Sequence, residues 1–255
     1  ELSINNDNVK SIAATGDLDF STKRPLVDLE VFLEDFNVDA FSPLGQDVLS
    51  SIRGSISGDF TLRGFLGNPD MDGTLRLKNA GLKFPYLNVD YDFEGESVIS
   101  LSQQSFIFEK FNLLDTKHNT RGVLIGDITH QNFKQWFLNI EIESDNLLVL
   151  DTEDTEEALY YGSAFIDGTA SISGLTDQLT IDVNAKTKPG TKFVVPLKDT
   201  ETVNSYKLIH FKSDKEKIGE RQKLIEQQAI KGLSLNIDLE VTKDAEAQVV
   251  IDEVN

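Results

Sequence analysis

From residue 51 the chain reads Ser51-Ile52-Arg53-Gly54-Ser55-Ile56-Ser57-Gly58-Asp59-Phe60-Thr61-Leu62-Arg63-Gly64. Ile52, Ile56, Phe60 and Leu62 share one parity with Gly54, Gly58 and Gly64, while Ser, Asp, Thr and Arg hold the other. Successive side chains of a β-strand point to opposite faces, so the stretch has one dry face and one wet face. The same alternation recurs at 73–77, 87–93, 137–142, 179–183, 233–241 and 249–251. Asn68-Pro69-Asp70, Ala80-Gly81 and Thr187-Lys188-Pro189-Gly190 interrupt it with turn chemistry. About fifteen short strands at regular spacing follow, which makes the fold class all-β.

The alternation is also repetitive. Gly58-Asp-Phe-Thr-Leu-Arg-Gly64 and Gly168-Thr-Ala-Ser-Ile-Ser-Gly174 share one glycine-bounded pattern. Each is followed by a turn, a further alternating strand (73–77 and 179–185), and an apolar stretch closed by proline, at Pro85 and Pro196. Shorter echoes sit at 16–20 and 122–128. Glycines on the apolar side of a strand permit close approach and bending. Repeats of this kind fit an open, elongated stack or curled sheet of antiparallel or stacked strands better than a closed globule. One segment departs from the pattern. Ser213-Asp214-Lys215-Glu216 has capping-box spacing, helix formers follow, and Gly232 stands where the helix would end. The expected organisation is therefore a repetitive β-groove over 1–198, a loop with a short strand near 206–211 and a surface helix over 199–231, and a return to the groove over 232–255, all one continuous domain.

Composition narrows the function. The formal charge is 24 − 43 = −19 over 255 residues, a surface that repels phosphate backbones, so nucleic acid is not an expected partner. The absence of cysteine removes disulfides, thiolate metal sites and Cys nucleophiles. His118, His130 and His210 are far apart and in no metal-ligand spacing. No G-x-S-x-G elbow, phosphate loop or H-E-x-x-H occurs. The acidic run Asp151–Glu157 lacks the turn glycine and ligand pattern of a calcium loop and reads as solvated. His130 and Trp136 lie in an aromatic-rich connection that reads as packing. No catalytic residue, metal or cofactor is expected, and the chain is not read as an enzyme.

Three stretches carry a family resemblance. Phe111-Asn-Leu-Leu-Asp115 through Gly122-Val-Leu-Ile-Gly126-Asp-Ile-Thr-His130 to Trp136-Phe-Leu-Asn-Ile140 is the first. Tyr160-Tyr161-Gly162-Ser-Ala164 through Gly174 to Phe193-Val-Val-Pro196 is the most specific. Lys231-Gly-Leu-Ser-Leu235 through Val249-Val-Ile-Asp252 is the third. Together they resemble the C-terminal region of TamB proteins, translocation-and-assembly-module subunits of the AsmA-like superfamily, in their Bacteroidetes version. The resemblance is tightest over 105–197 and 231–253.

It implies a β-taco, an open half-pipe groove with an apolar interior, whose full-length form is anchored in the inner membrane of a Gram-negative cell and crosses the periplasm. The piece then lacks an N-terminal anchor and the family's extreme C-terminus. The implied work is phospholipid transport between membranes, in support of outer-membrane biogenesis. The alternative is a chaperone-like scaffold that assists assembly of outer-membrane barrels. Implied partners are phospholipid acyl chains, an outer-membrane barrel protein of the TamA/BamA type, and flanking repeats of the same chain. Parity then assigns the expected groove lining: Ile52, Ile56, Phe60, Leu62, Leu75, Leu77, Leu124, Ile128, Leu138, Ile140, Ala164, Ile166, Ala170, Ile172, Leu179, Ile181 and Val183.

Overall fold

The structure is a computed structural model and describes residues 2–6, 9–39, 50–85, 87–154, 160–197, 209–211 and 233–251. Its strands in chain order are β1 (Leu2–Asn6), β2 (Val9–Asp19), β3 (Leu26–Asn37), β4 (Ser50–Phe65), β5 (Asp70–Phe84), β6 (Val89–Glu94), β7 (Ser97–Gln103) and β8 (Ser105–Asp115). They continue with β9 (Arg121–Gln131), β10 (Gln135–Thr152), β11 (Tyr161–Leu175), β12 (Gln178–Thr187), β13 (Lys192–Leu197), β14 (Ile209–Phe211), β15 (Leu233–Glu240) and β16 (Glu246–Ile251). All sixteen belong to one sheet, so the all-β reading holds. The short strand expected near 206–211 is β14. The helix expected over 213–231 lies outside the described residues.

From β1 to β12 every pairing is antiparallel, but β12–β15, β13–β16 and β14–β15 are parallel. Long strands face divided neighbours. β5 pairs β7 through 71–77 and β6 through 81–84, so β6 and β7 lie end to end in one row. In the same way β11 pairs β12 through 166–175 and β13 through 161–163.

These divisions fall on a line of bulges that runs obliquely across the sheet. Register shifts occur between Ile4 and Asn5, Leu33 and Phe36, Arg53 and Ser55, Phe108 and Phe111, and Ser144 and Leu147. A bulge bends its strand and sharpens the local twist, so aligned bulges crease a sheet. Hydroxyl groups take over the backbone bonds that the crease disrupts. Asp35 N–H donates to Ser57 Oγ at 2.9 Å, and Ser144 Oγ donates to the Arg121 carbonyl at 2.7 Å while accepting from Asn146 N–H at 2.8 Å. Thr191 Oγ1 accepts from Phe165 N–H at 3.0 Å. The crease keeps its polar backbone groups paired, as burial requires.

The core falls into two clusters. Val38, Ile56, Met71, Leu75 and Leu101 form the first, with Ile52, Phe60, Leu62, Leu77 and Phe106 against it. Val89, Tyr91, Leu113, Leu147, Leu148 and Phe165 form the second.

Candidate functional site

The register brings the apolar parity of successive strands onto one surface. Following the cross-strand partners from β2 to β12 traces a transverse row: Ile12, Leu33, Gly58, Leu75, Ile99, Phe108, Gly126, Ile140, Ile172 and Ile181. Two residues further along, the next row on this face is Ala14, Val31, Phe60, Gly73, Leu101, Phe106, Ile128, Leu138, Gly174 and Leu179. Every position in both rows is apolar or glycine. Between them, on the opposite face, runs Ala13, Phe32, Asp59, Thr74, Ser100, Ile107, Asp127, Asn139, Ser173 and Thr180. Ten strands at about 4.8 Å spacing make the apolar stripe roughly 43 Å long.

The residues expected to line a groove lie on this stripe or continue it. Leu75, Ile140, Ile172 and Ile181 are in the first row, and Phe60, Ile128, Leu138 and Leu179 in the second. Ile56, Leu77, Leu124, Ala170 and Val183 form the row on the crease side, where Ile56 pairs Leu77 and Ala170 pairs Val183. Leu62 extends the far side opposite Met71. Ala164 and Ile166 lie beyond the crease, opposite Leu150 and Leu147 of β10. Ile52 packs on Ile56 and its neighbours. Met71, Leu101 and Phe106 stand on the same face outside the expected set, and the bulge between Phe108 and Phe111 hides the parity of Phe111.

Glycines stand between bulky residues at a few points along these rows. Gly58 sits between Leu33 and Leu75, and Gly126 between Phe108 and Ile140. A Cβ at Gly126 would stand 2.0 Å from the Asn139 carbonyl oxygen, and φ there is +137°. Each row has two glycines, Gly58 and Gly126 in the first and Gly73 and Gly174 in the second, and at these points the flanking large side chains can close over the gap as the surface curves.

Two bonds record that curl. Tyr91 Oη donates to the Leu148 carbonyl at 2.6 Å, joining β6 to β10 over the tip of the β8–β9 hairpin. Asn132 N–H donates to Asn68 Oδ1 at 2.6 Å, joining the β9–β10 and β4–β5 hairpins over the β7–β8 tip. Both margins of the sheet are drawn in. Yet the stripe is not sealed. Ile56, Leu75, Leu101 and Ile140 are buried, whereas Phe60, Ile128, Leu138, Ile172, Leu179, Ile181 and Val183 remain half-buried. Among the described residues no α-helix and no second sheet covers the stripe.

The opposite face carries the charge. Arg53 reaches across β5 to Asp90 and Asp92 of β6, with Nη2 at 2.7 and 2.5 Å from their carboxylates. It passes over Gly81, where a Cβ would lie 2.5 Å from that nitrogen. Burial alone would lower the Arg53 pKa, but the bonds to Asp92 and Asp90 outweigh it and raise it. Arg63–Asp28, Lys186–Glu240 and Lys192–Glu246 pair across adjacent strands.

His118 sits in the β8–β9 turn, edge-on to Phe165 with ring centres 5.1 Å apart. His130 is in β9 and His210 in β14. Asp151 heads the acidic run, whose residues 155–157 lie outside the described residues. Burial would raise the Asp151 pKa, but Lys117 and Ser163 hydrogen bonds lower it on balance, so this carboxylate is already engaged. Among the described residues no group of three acidic or histidine side chains is placed to hold a metal.

The family model described as TamB C-terminal domain matches residues 110–254. No curated protein matches the chain, and no solved structure does.

Proposed function

This chain belongs to the TamB family, matched over residues 110–254, and from that membership we propose that the sheet is a segment of a periplasmic conduit for phospholipid acyl chains. The observation that carries the reading is the pair of uninterrupted apolar rows, glycine-relieved, drawn into a curl and left half-open. A sealed core would bury these positions, and a surface sheet would not devote one whole face to apolar side chains. The described parts of 1–198 and 232–255 form one continuous sheet, in keeping with a single groove unit.

Magnitudes explain the use of such a surface. Two acyl chains of ~15 methylenes at ~0.8 kcal/mol each cost about 24 kcal/mol to expose to water. A barrier of that size corresponds to an escape time on the order of a day. A dry stripe cancels most of that term while the headgroup stays wet at the open margin. No step breaks or makes a covalent bond, and a barrel protein of the outer membrane is the partner to which the conduit would deliver.

A second reading, a scaffold for barrel assembly, draws support from the sheet edge. Among the described residues β1 pairs β2 alone, and its other edge could take an added strand. Native mass spectrometry of the chain purified from membranes separates the two. Retained phospholipid supports the conduit, while a lipid-free protein that captures barrel-strand peptides contradicts it.

A further inference from the structure

The apolar face carries one imidazole whose outer nitrogen has no partner. His130 follows Ile128 on the same side of β9 and is 3% exposed. Its Nδ1 accepts the Phe133 N–H at 3.4 Å, which assigns the proton to Nε2. That Nε2 is fully buried and unpartnered. Around it stand the rings of Trp136, with centres 5.3 Å apart, and Phe106, at 6.2 Å.

The cover is Phe133. Its ring stacks on the imidazole at 3.8 Å and 21°, while the residue as a whole is 44% exposed. Asn132 and Phe133 have φ of 56° and 53°, the left-handed region that bulky side chains avoid. The loop is fixed from outside: Asn132 N–H bonds Asn68, and His130 N–H bonds the Gln104 carbonyl at 3.0 Å. A buried donor without an acceptor and a strained aromatic lying on it are both unfavourable in the empty protein. The missing bond is supplied if the stacked ring swings outward and frees the imidazole to turn its in-plane Nε2–H toward an acceptor. Ile128 and Leu138 continue the apolar stripe beside this point, so a chain lying on them would carry its polar end toward His130.

We propose that His130 is a recognition point for an oxygen at the head–tail junction of a glycerophospholipid, an ester carbonyl or a phosphate oxygen, with Phe133 as its displaceable cover. The proposal rests on the reading of the apolar face as a lipid path. The test is nuclear magnetic resonance of the full chain labelled at histidine nitrogens, before and after loading from 1-palmitoyl-2-oleoyl-phosphatidylethanolamine vesicles. The expected result is a downfield move of the His130 Nε2–H proton on loading, assigned by its loss in His130→Phe. The diether analogue keeps the shift if phosphate is the acceptor and abolishes it if the ester carbonyl is. In parallel, His130→Phe should melt no lower than the unmodified chain when empty and retain at least fivefold less phospholipid. Phe133→Gly, which suits the backbone, should load faster. A chain that retains phospholipid while the His130 resonances stay fixed overturns the proposal and leaves the lipid path standing. A chain that retains none overturns both.

Discussion

Tyr91 and Leu148 are joined by a 2.6 Å hydrogen bond although β8 and β9 lie between their strands in the sheet. In a flat sheet three strand spacings would hold β6 and β10 about 14 Å apart. The β8–β9 hairpin ends at a turn over 116–118, and beyond its tip the two outer strands close. Asp115 organises that tip by accepting from His118 N–H at 2.6 Å, and Thr120 Oγ1 accepts from Leu148 N–H at 2.8 Å. Both backbone groups of Leu148 are thus satisfied from outside its own ladder. The burial that accompanies this contact pushes the Tyr91 pKa upward, so its proton stays on the bond.

Tyr91→Phe should therefore cost about 1–2 kcal/mol, the worth of a buried bond whose acceptor is left unpaired. Urea denaturation reads the loss, and amide hydrogen exchange at Leu148 separates the causes. Thr120→Val should accelerate exchange at Leu148 more than Tyr91→Phe does, because only the hydroxyl of Thr120 holds that N–H.

The glycines of the stripe should tolerate substitution according to what stands over them. Gly126→Ala drives a Cβ to 2.0 Å from the Asn139 carbonyl, whereas nothing lies within 4 Å of Gly95, which shares a positive φ. Gly126→Ala is expected to cost about 3 kcal/mol or more, and Gly95→Ala about 1 kcal/mol from backbone strain alone. Equal costs would mean that backbone strain, and not the approach of β10, sets the demand for glycine.

His130 gives the fold a pH dependence of known sign. Burial lowers its pKa below the usual 6.5, so the unfolded chain binds the proton more readily than the folded one. The stability from the neutral imidazole is complete above about pH 6.5 and is lost as pH falls from there toward the lowered folded value. Between pH 7.5 and 5 the melting temperature should fall more in the unmodified chain than in His130→Phe. Parallel curves would mean that the imidazole takes up its proton without leaving its aromatic site.

Much of this architecture was legible in the sequence, because a period of two survives wherever one face is dry. Ile56, Phe60 and Leu62 announced their strand, and the paired repeats at 58–64 and 168–174 announced a single elongated sheet. What the sequence could not show is where the period breaks. The bulges between Phe108 and Phe111 and between Ser144 and Leu147 reverse parity within a strand, so Phe111 and Leu147 stood on the wrong side of any simple count. The parallel pairing of β12 with β15 was also hidden, since Leu179–Val183 and Leu233–Ile237 alternate alike in either direction. His130 was read correctly as a packed side chain. The vacancy at its Nε2 depends on the Phe133 turn, and no spacing rule encodes that.

Photo-crosslinking by parity tests the lipid path most directly. A photoreactive residue placed singly at Phe60, Ile172 or Ile181, on the apolar rows, should give phospholipid adducts in cells. The same residue at Thr61, Ser171 or Thr180, one position away on the wet face, should give none. Adducts at both parities alike, or at neither with the fold intact, would contradict the conduit.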